Sequence, residues 1–94
     1  MVITAFVCGE TERIFRGERS RKLPPDIQNT ARRKLAYLHR ARMLRDLFAP
    51  PGNRLETLGG DRSGQHSIRI NDQWRICFVW RGSNAEQVEI VDYH

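Results

Sequence analysis

The sequence predicts an α+β domain: an N-terminal strand, then two to three helices laid on one face of a mostly antiparallel sheet of four to five strands. Three observations carry that reading. Ile27, Ala31, Leu35 and Leu38 recur at helical spacing. Beyond the proline-rich stretch the chain switches to period-two alternation, strongest over Trp74, Ile76, Phe78 and Trp80. Glycine, asparagine and aspartate clusters separate these later runs as turns do. A chain of 94 residues builds one modest core and not two, so 1–94 reads as a single domain.

Each element has its own local reason. Val2 to Cys8 is β-branched and aromatic enough for a first strand, closed by Gly9. Glu10 to Phe15 suits a short helix with Ile14 and Phe15 inward and Gly17 as its C-terminal stop. A charged linker, ERSRKLPP, follows. Pro24 and Pro25 then open the longest helix, because proline is tolerated in a first turn and Asp26 suits the positive end of the dipole. Arg32, Arg33 and Lys34 fall on the flanks of its apolar stripe. Met43 and Leu47 lie nearly opposite that stripe, which places a break near Arg40 and a second short helix over Ala41 to Leu47. Ala49-Pro50-Pro51-Gly52-Asn53 is a loop.

The strands come after it. Leu55 and Leu58 suggest a brief one, Gly59-Gly60-Asp61 and Ser63-Gly64 turn, and Gln65 to Ile70 alternates. Asn71-Asp72 marks a tight hairpin into Trp74 to Trp80, the strongest strand. Arg81 to Ala85 is a loop, and Glu86 to Tyr93 is the last strand.

Lys and Arg number 16 against 11 Asp and Glu, a net charge of +5, with Arg greatly outnumbering Lys. The planar guanidinium suits phosphate, so a polyanionic partner fits, as does an acidic protein or plain solubility. Cys8 and Cys77 are far apart and flanked by apolar residues, and read as buried free thiols. Neither is spaced from His39, His66 or His94 as a zinc site requires, so no metal or other cofactor is implied. MVITAFVCGE lacks the layout of a signal peptide, and no run approaches membrane-spanning length. A reducing cytoplasm is the expected compartment.

Two features bear on chemistry. The sequence closes on Asp92-Tyr93-His94, a carboxylate, a phenol and an imidazole directly after an apolar alternation. Residues at i and i+2 of a strand share a face, so Asp92 and His94 are candidates for one acid/base surface; an ordinary strand end facing water is the plainer alternative. The second feature is Arg75, a cation within the most apolar strand, on a face with Cys77 and Val79. A salt bridge to Glu89 or Asp92 on the neighbouring strand explains it structurally, and a fixed anion receptor explains it functionally.

Gly60-Asp61-Arg62 before a strand, Asn71-Asp72-Gln73-Trp74-Arg75-Ile76 across a hairpin, and the closing Asp92-Tyr93-His94 together resemble the HigB branch of the RelE/ParE toxin superfamily. The resemblance spans almost the whole chain and rests on three separated motifs in the expected order. It implies a ribosome-dependent endoribonuclease that cuts messenger RNA, is silenced by a cognate HigA-like helix-turn-helix antitoxin, and meets operator DNA only through that antitoxin. It also implies a site on the concave sheet face.

RNA cleavage of this kind needs a base for the 2′-hydroxyl proton, cations for the phosphate and an acid for the leaving oxygen. His94 is the leading proton-transfer residue, and a free α-carboxylate beside it would favour the imidazolium. Asp92 would orient or balance charge, Tyr93 stack or hydrogen-bond, and Arg75 clamp the phosphate. Arg62, Arg54 and Arg69 are further RNA-binding cations. The HigB-like pattern commonly has a histidine two residues before the Leu-x-Gly-Asp-Arg turn. This chain has Glu56 there, a carboxylate able to act as base, with His66 as the fallback. Arg32-Arg33-Lys34 with Arg40, Arg42 and Arg45 suits ribosomal RNA or a solvated face. Two other classes stay open: a ParE-like gyrase inhibitor, and a non-catalytic RNA-binding domain using the arginines and Trp80.

Overall fold

Within residues 3–92, which the computed structural model describes, two helices precede a four-stranded antiparallel meander. The elements are α1 (Gly9–Phe15), α2 (Pro25–Arg40), β1 (Glu56–Thr57), β2 (His66–Arg69), β3 (Trp74–Arg81) and β4 (Asn84–Asp92), with strand order β1-β2-β3-β4. Pro24 caps α2 and Pro25 sits in its first turn, where a missing N–H leaves no bond unmade. Gly17 ends α1 at φ 88°, a left-handed conformation glycine adopts without a Cβ clash.

Ile27, Ala31, Leu35 and Leu38 of α2 are all buried against Ile68, Ile76, Phe78, Val88 and Ile90 of the sheet. Cross-strand partners share a face, and the register pairs Ile68 with Ile76 and Ile76 with Ile90. The helices therefore cover the face that carries these residues. Glu56, Ser67, Cys77 and Glu89, which stand opposite one another across the four strands, occupy the other face.

The sheet departs from the expected outline at both ends. The first strand, expected over Val2 to Cys8, is two isolated parallel bridges, Ile3 to Ala85 and Phe6 to Val88; Val2 itself lies outside the described residues. The reason is in β4, where Gln87 takes φ 52° and the register with β3 slips between Cys77 and Val79. A bulged strand offers a parallel neighbour no continuous ladder. The edge is nevertheless covered: Thr4 N–H donates to Ala85 O at 2.9 Å, Val88 N–H to Ala5 O at 3.0 Å, and Ile90 N–H to the buried Thr11 hydroxyl of α1 at 3.0 Å.

Other boundaries shift for local reasons. Gly9 opens α1 instead of closing a strand. The helix expected over Ala41 to Leu47 is a 3-10 segment, Leu44–Phe48, preceded by an extended Ala41. Asp46 draws the N–H groups of Arg42 and Met43 to its carboxylate at 2.9 and 3.2 Å, which closes a turn there and holds its pKa below the usual range. Leu47 is buried, whereas Met43 is exposed. The strand expected between Leu55 and Leu58 spans only Glu56–Thr57, and the last strand begins at Asn84. At Asn71-Asp72 the side chain of Asn71 accepts the N–H groups of Gln73 and Trp74, a loop wider than a two-residue turn.

Two expectations about burial are corrected. Cys8 is only half-buried. Lys34 lies beneath α2, not on its flank, and its ammonium donates to the carbonyls of Gly52 and Arg69, which tie the proline loop and β2 to the helix. Burial, then the neighbouring Arg33, Arg69 and Arg75, lowers its pKa.

Candidate active site on the uncovered face of the sheet

Arg75 is the centre of this face. Its register neighbours put it between Arg69 and Val91, and it is 7% exposed. A buried guanidinium needs its donors met, and among the described residues three groups contribute. Nε donates to the Ser67 hydroxyl at 2.7 Å, an Nη donates to the Arg54 carbonyl at 2.7 Å, and the same nitrogen lies 3.1 Å from the Glu56 carboxylate. Among the described residues the ion-pair partner of Arg75 is Glu56 of β1, where Glu89 or Asp92 was expected. Those two are engaged elsewhere: Glu89 with Arg62 at 3.3 Å, and Asp92 with the Gln73 amide at 3.0 Å.

The Arg54 carbonyl is aimed by strain. Arg54 adopts φ 45° and ψ 58°, left-handed values that cost a residue with a Cβ about 1–2 kcal/mol. The floor is polar but dry, since Ser67 and Cys77 are fully buried. Burial raises the Cys77 thiol's pKa, partly offset by Arg62 and Arg75, so the sulfur stays a protonated packing group. Glu56, by contrast, has a side chain 51% exposed and faces solvent above the arginine. Arg62, also bonded to Gln65 at 3.0 Å, closes the β4 side of the face.

The structure brings together Arg75, Glu56, the Arg54 backbone and Arg62. It separates His66, which pairs with Phe78 on the helix-covered face, its ring 5.9 Å from the Phe78 ring and its Nδ1 3.1 Å from the Thr57 hydroxyl. Burial lowers its pKa, leaving it neutral at pH 7. Arg69 shares the face of Arg75 and is paired with Asp72. Asp92 pairs with Trp74 and continues the face of Ile90, so at the end of β4 it stands on the helix-covered side of the sheet, not on the face of Arg75. Tyr93 and His94 lie outside the described residues. Ser67 is the group sequence reasoning missed. Its signal was its alternation with Arg69, which fixes its face once the pairing is known. Among the described residues, no cluster of His, Cys, Asp and Glu is arranged to hold a metal ion.

Two helices packed with a four-stranded antiparallel sheet form an α+β arrangement consistent with the fold of RelE-like toxins. The chain belongs to the HigB-like toxin family, RelE-like toxins of type II toxin–antitoxin systems, whose model matches residues 6–94. It is 46% identical over 63 residues, 67% of this chain and 66% of the relative, to Toxin HigB-1 of Vibrio cholerae serotype O1. It is 31% identical over 70 residues to an uncharacterized protein of Haemophilus influenzae, covering 74% of this chain and 67% of that one. The chain thus aligns with about two thirds of the length of each of these relatives.

Proposed function

We propose that this chain, as one domain over 1–94, is a ribosome-dependent mRNA endoribonuclease that inhibits translation in the cytoplasm and is silenced by a helix-turn-helix antitoxin. The observation that carries the reading is Arg75: a buried guanidinium fixed by Ser67 and the Arg54 carbonyl, with a solvent-facing carboxylate beside it. Pinned on two sides, it presents its charge to the uncovered face with little reorganisation, as stabilisation of a developing phosphate charge requires.

In this reading a scissile phosphate sits over Arg75, with Arg62 as the second cation. Glu56 leaves the guanidinium as the phosphate arrives and takes the 2′-hydroxyl proton. The 2′-oxygen attacks phosphorus in line, the bond to the 5′-oxygen breaks, and His94 returns a proton to that oxygen. Asp92 orients or balances the imidazole, and Tyr93 stacks on a base. Arg54 and Arg69 flank the RNA. Every step uses protein acid, base and cation only.

The test incubates the purified chain with programmed ribosomes and maps the message ends, beside His94→Ala and Arg75→Ala. Ribosome-dependent cuts that vanish in both variants are the expected result. No cuts from the intact chain, or equal cuts from all three, would sink the reading, and inhibition of DNA supercoiling instead would assign the ParE-like activity.

A further inference from the structure

A second cationic feature lies on the helix side of the molecule. Glu10 and Arg13 of α1, with Arg19, Arg21 and Lys22 of the connection to α2, line a cleft of about 380 Å³. Arg13 is engaged by Glu18 at 3.2 Å and Glu10 at 3.7 Å. Glu10 also accepts the Ser20 hydroxyl at 2.6 Å. Arg19, Arg21 and Lys22 are exposed, and their side chains take part in none of the hydrogen bonds or ion pairs among the described residues. Three unpaired cations thus border a cleft whose one carboxylate is already committed.

The segment that carries them is not a loose linker. Gln28 of α2 is buried; its Oε1 accepts the Ser20 N–H at 3.0 Å, and its Nε2 donates to the carbonyls of Ser20 and Leu23, both at 2.9 Å. The Ser20 hydroxyl accepts the N–H groups of Lys22 and Leu23 at 3.1 and 3.2 Å. This buried network fixes the backbone beneath the cations, so a partner has only their side chains left to order. Arginine forks bordering a concavity on a fixed backbone match the oxygens of phosphodiesters.

We infer that the Arg19-Arg21-Lys22 cleft binds the sugar-phosphate backbone of structured RNA, a site separate from the Arg75 face. On the proposed function, on which the ribosomal part of the inference rests, the molecule would be gripped by RNA on the helix side while the uncovered sheet face meets the message.

The test measures binding of the full chain to purified ribosomes and to a short A-form RNA duplex, as a function of salt. Arg19→Gln/Arg21→Gln is compared with Arg16→Gln/Arg81→Gln, which removes equal charge from arginines already paired with Glu12 and Glu86. For the cleft variant the salt slope should shrink by about two, one for each arginine withdrawn from a phosphate, with affinity down roughly tenfold at physiological salt. The control pair should change neither as much. Equal losses in both pairs reduce the effect to net charge and overturn the site. Unchanged RNA binding with a lost antitoxin complex assigns the cleft to an acidic protein and overturns it as well. Arginine-dependent duplex binding without ribosome-dependent cleavage would retain the site while the nuclease reading fails.

Discussion

At the scale of single residues the arrangement turns on which side of Glu56 is used. Its carboxylate lies 3.1 Å from Arg75 and open to water; in the proposed mechanism it would be a stand-in anion until a phosphate displaces it and a proton acceptor afterwards. Glu56→Gln keeps shape and hydrogen bonding but removes the basic oxygen. We expect cleavage to fall about 100-fold, the usual scale for a lost general base, with ribosome binding unchanged or slightly tighter. Near-parental cleavage would take Glu56 out of the mechanism. His66 makes a different, pH-linked expectation. Burial lowers its folded pKa below the unfolded value of about 6.5, so the unfolded chain binds its proton first as acid is added. The stability that depends on a neutral ring is complete above that value and is lost as pH falls through the folded pKa. Urea midpoints between neutral and mildly acidic pH should fall more steeply for the parent than for His66→Gln. Parallel profiles would show that the ring does not carry the effect.

At the scale of elements, the buried amide of Gln28 does for the α1–α2 connection what a ladder does for a strand. Gln28→Ala would leave the Ser20 N–H and the carbonyls of Ser20 and Leu23 without their partner. Those groups sit beside a buried residue, so we expect a loss of about 2–4 kcal/mol in urea unfolding, from net hydrogen-bond values near 1 kcal/mol and the larger penalty of stranded donors. A loss under about 0.5 kcal/mol would mean that water replaces the amide. This network also marks the limit of what sequence shows. The α2 stripe, the prolines that open it and the strand alternation were legible because each rests on spacing within one element. Ser20 and Gln28 were not, since their pairing joins residues from two segments that no periodicity relates. The first strand failed for the same reason: Val2 to Cys8 has strand composition, but its ladder depends on β4, where Gln87 takes a left-handed bulge that only glycine would have advertised. Arg75 was legible as an anomaly in an apolar strand, yet its partner was misassigned. Glu56 reaches it diagonally from β1 across β2, and the two-residue length of β1 hid that register.

At the scale of the whole molecule, the sheet divides two tasks between its faces. One face, with Ile68, Ile76, Phe78 and Ile90, packs on the helices and supplies the hydrophobic stability; the other displays Arg75, Glu56 and Arg62. If that division holds, stability and activity should be separable by mutation. Leu35 is fully buried at the centre of the α2 stripe and touches the core face only through packing. Leu35→Ala should cost about 2–5 kcal/mol through lost burial and the cavity left behind. In a domain this small each kcal/mol lowers the melting temperature by about 4–8 °C. At a temperature where the variant is still folded, its cleavage per folded molecule should match the parent, because the strands that hold Ser67 and Arg75 are bonded directly to each other and the substitution leaves the Lys34 bonds from α2 to Gly52 and Arg69 in place. Arg75→Lys should do the reverse. The ammonium cannot satisfy Ser67, the Arg54 carbonyl and a phosphate in the guanidinium's planar geometry, so cleavage should fall by roughly 100-fold with a smaller change in melting temperature. Measuring both variants by thermal unfolding and by message cleavage decides the matter. A Leu35→Ala chain that is folded but inactive would show that helix packing sets the geometry of the far face, and the two layers would have to be treated as one cooperative site.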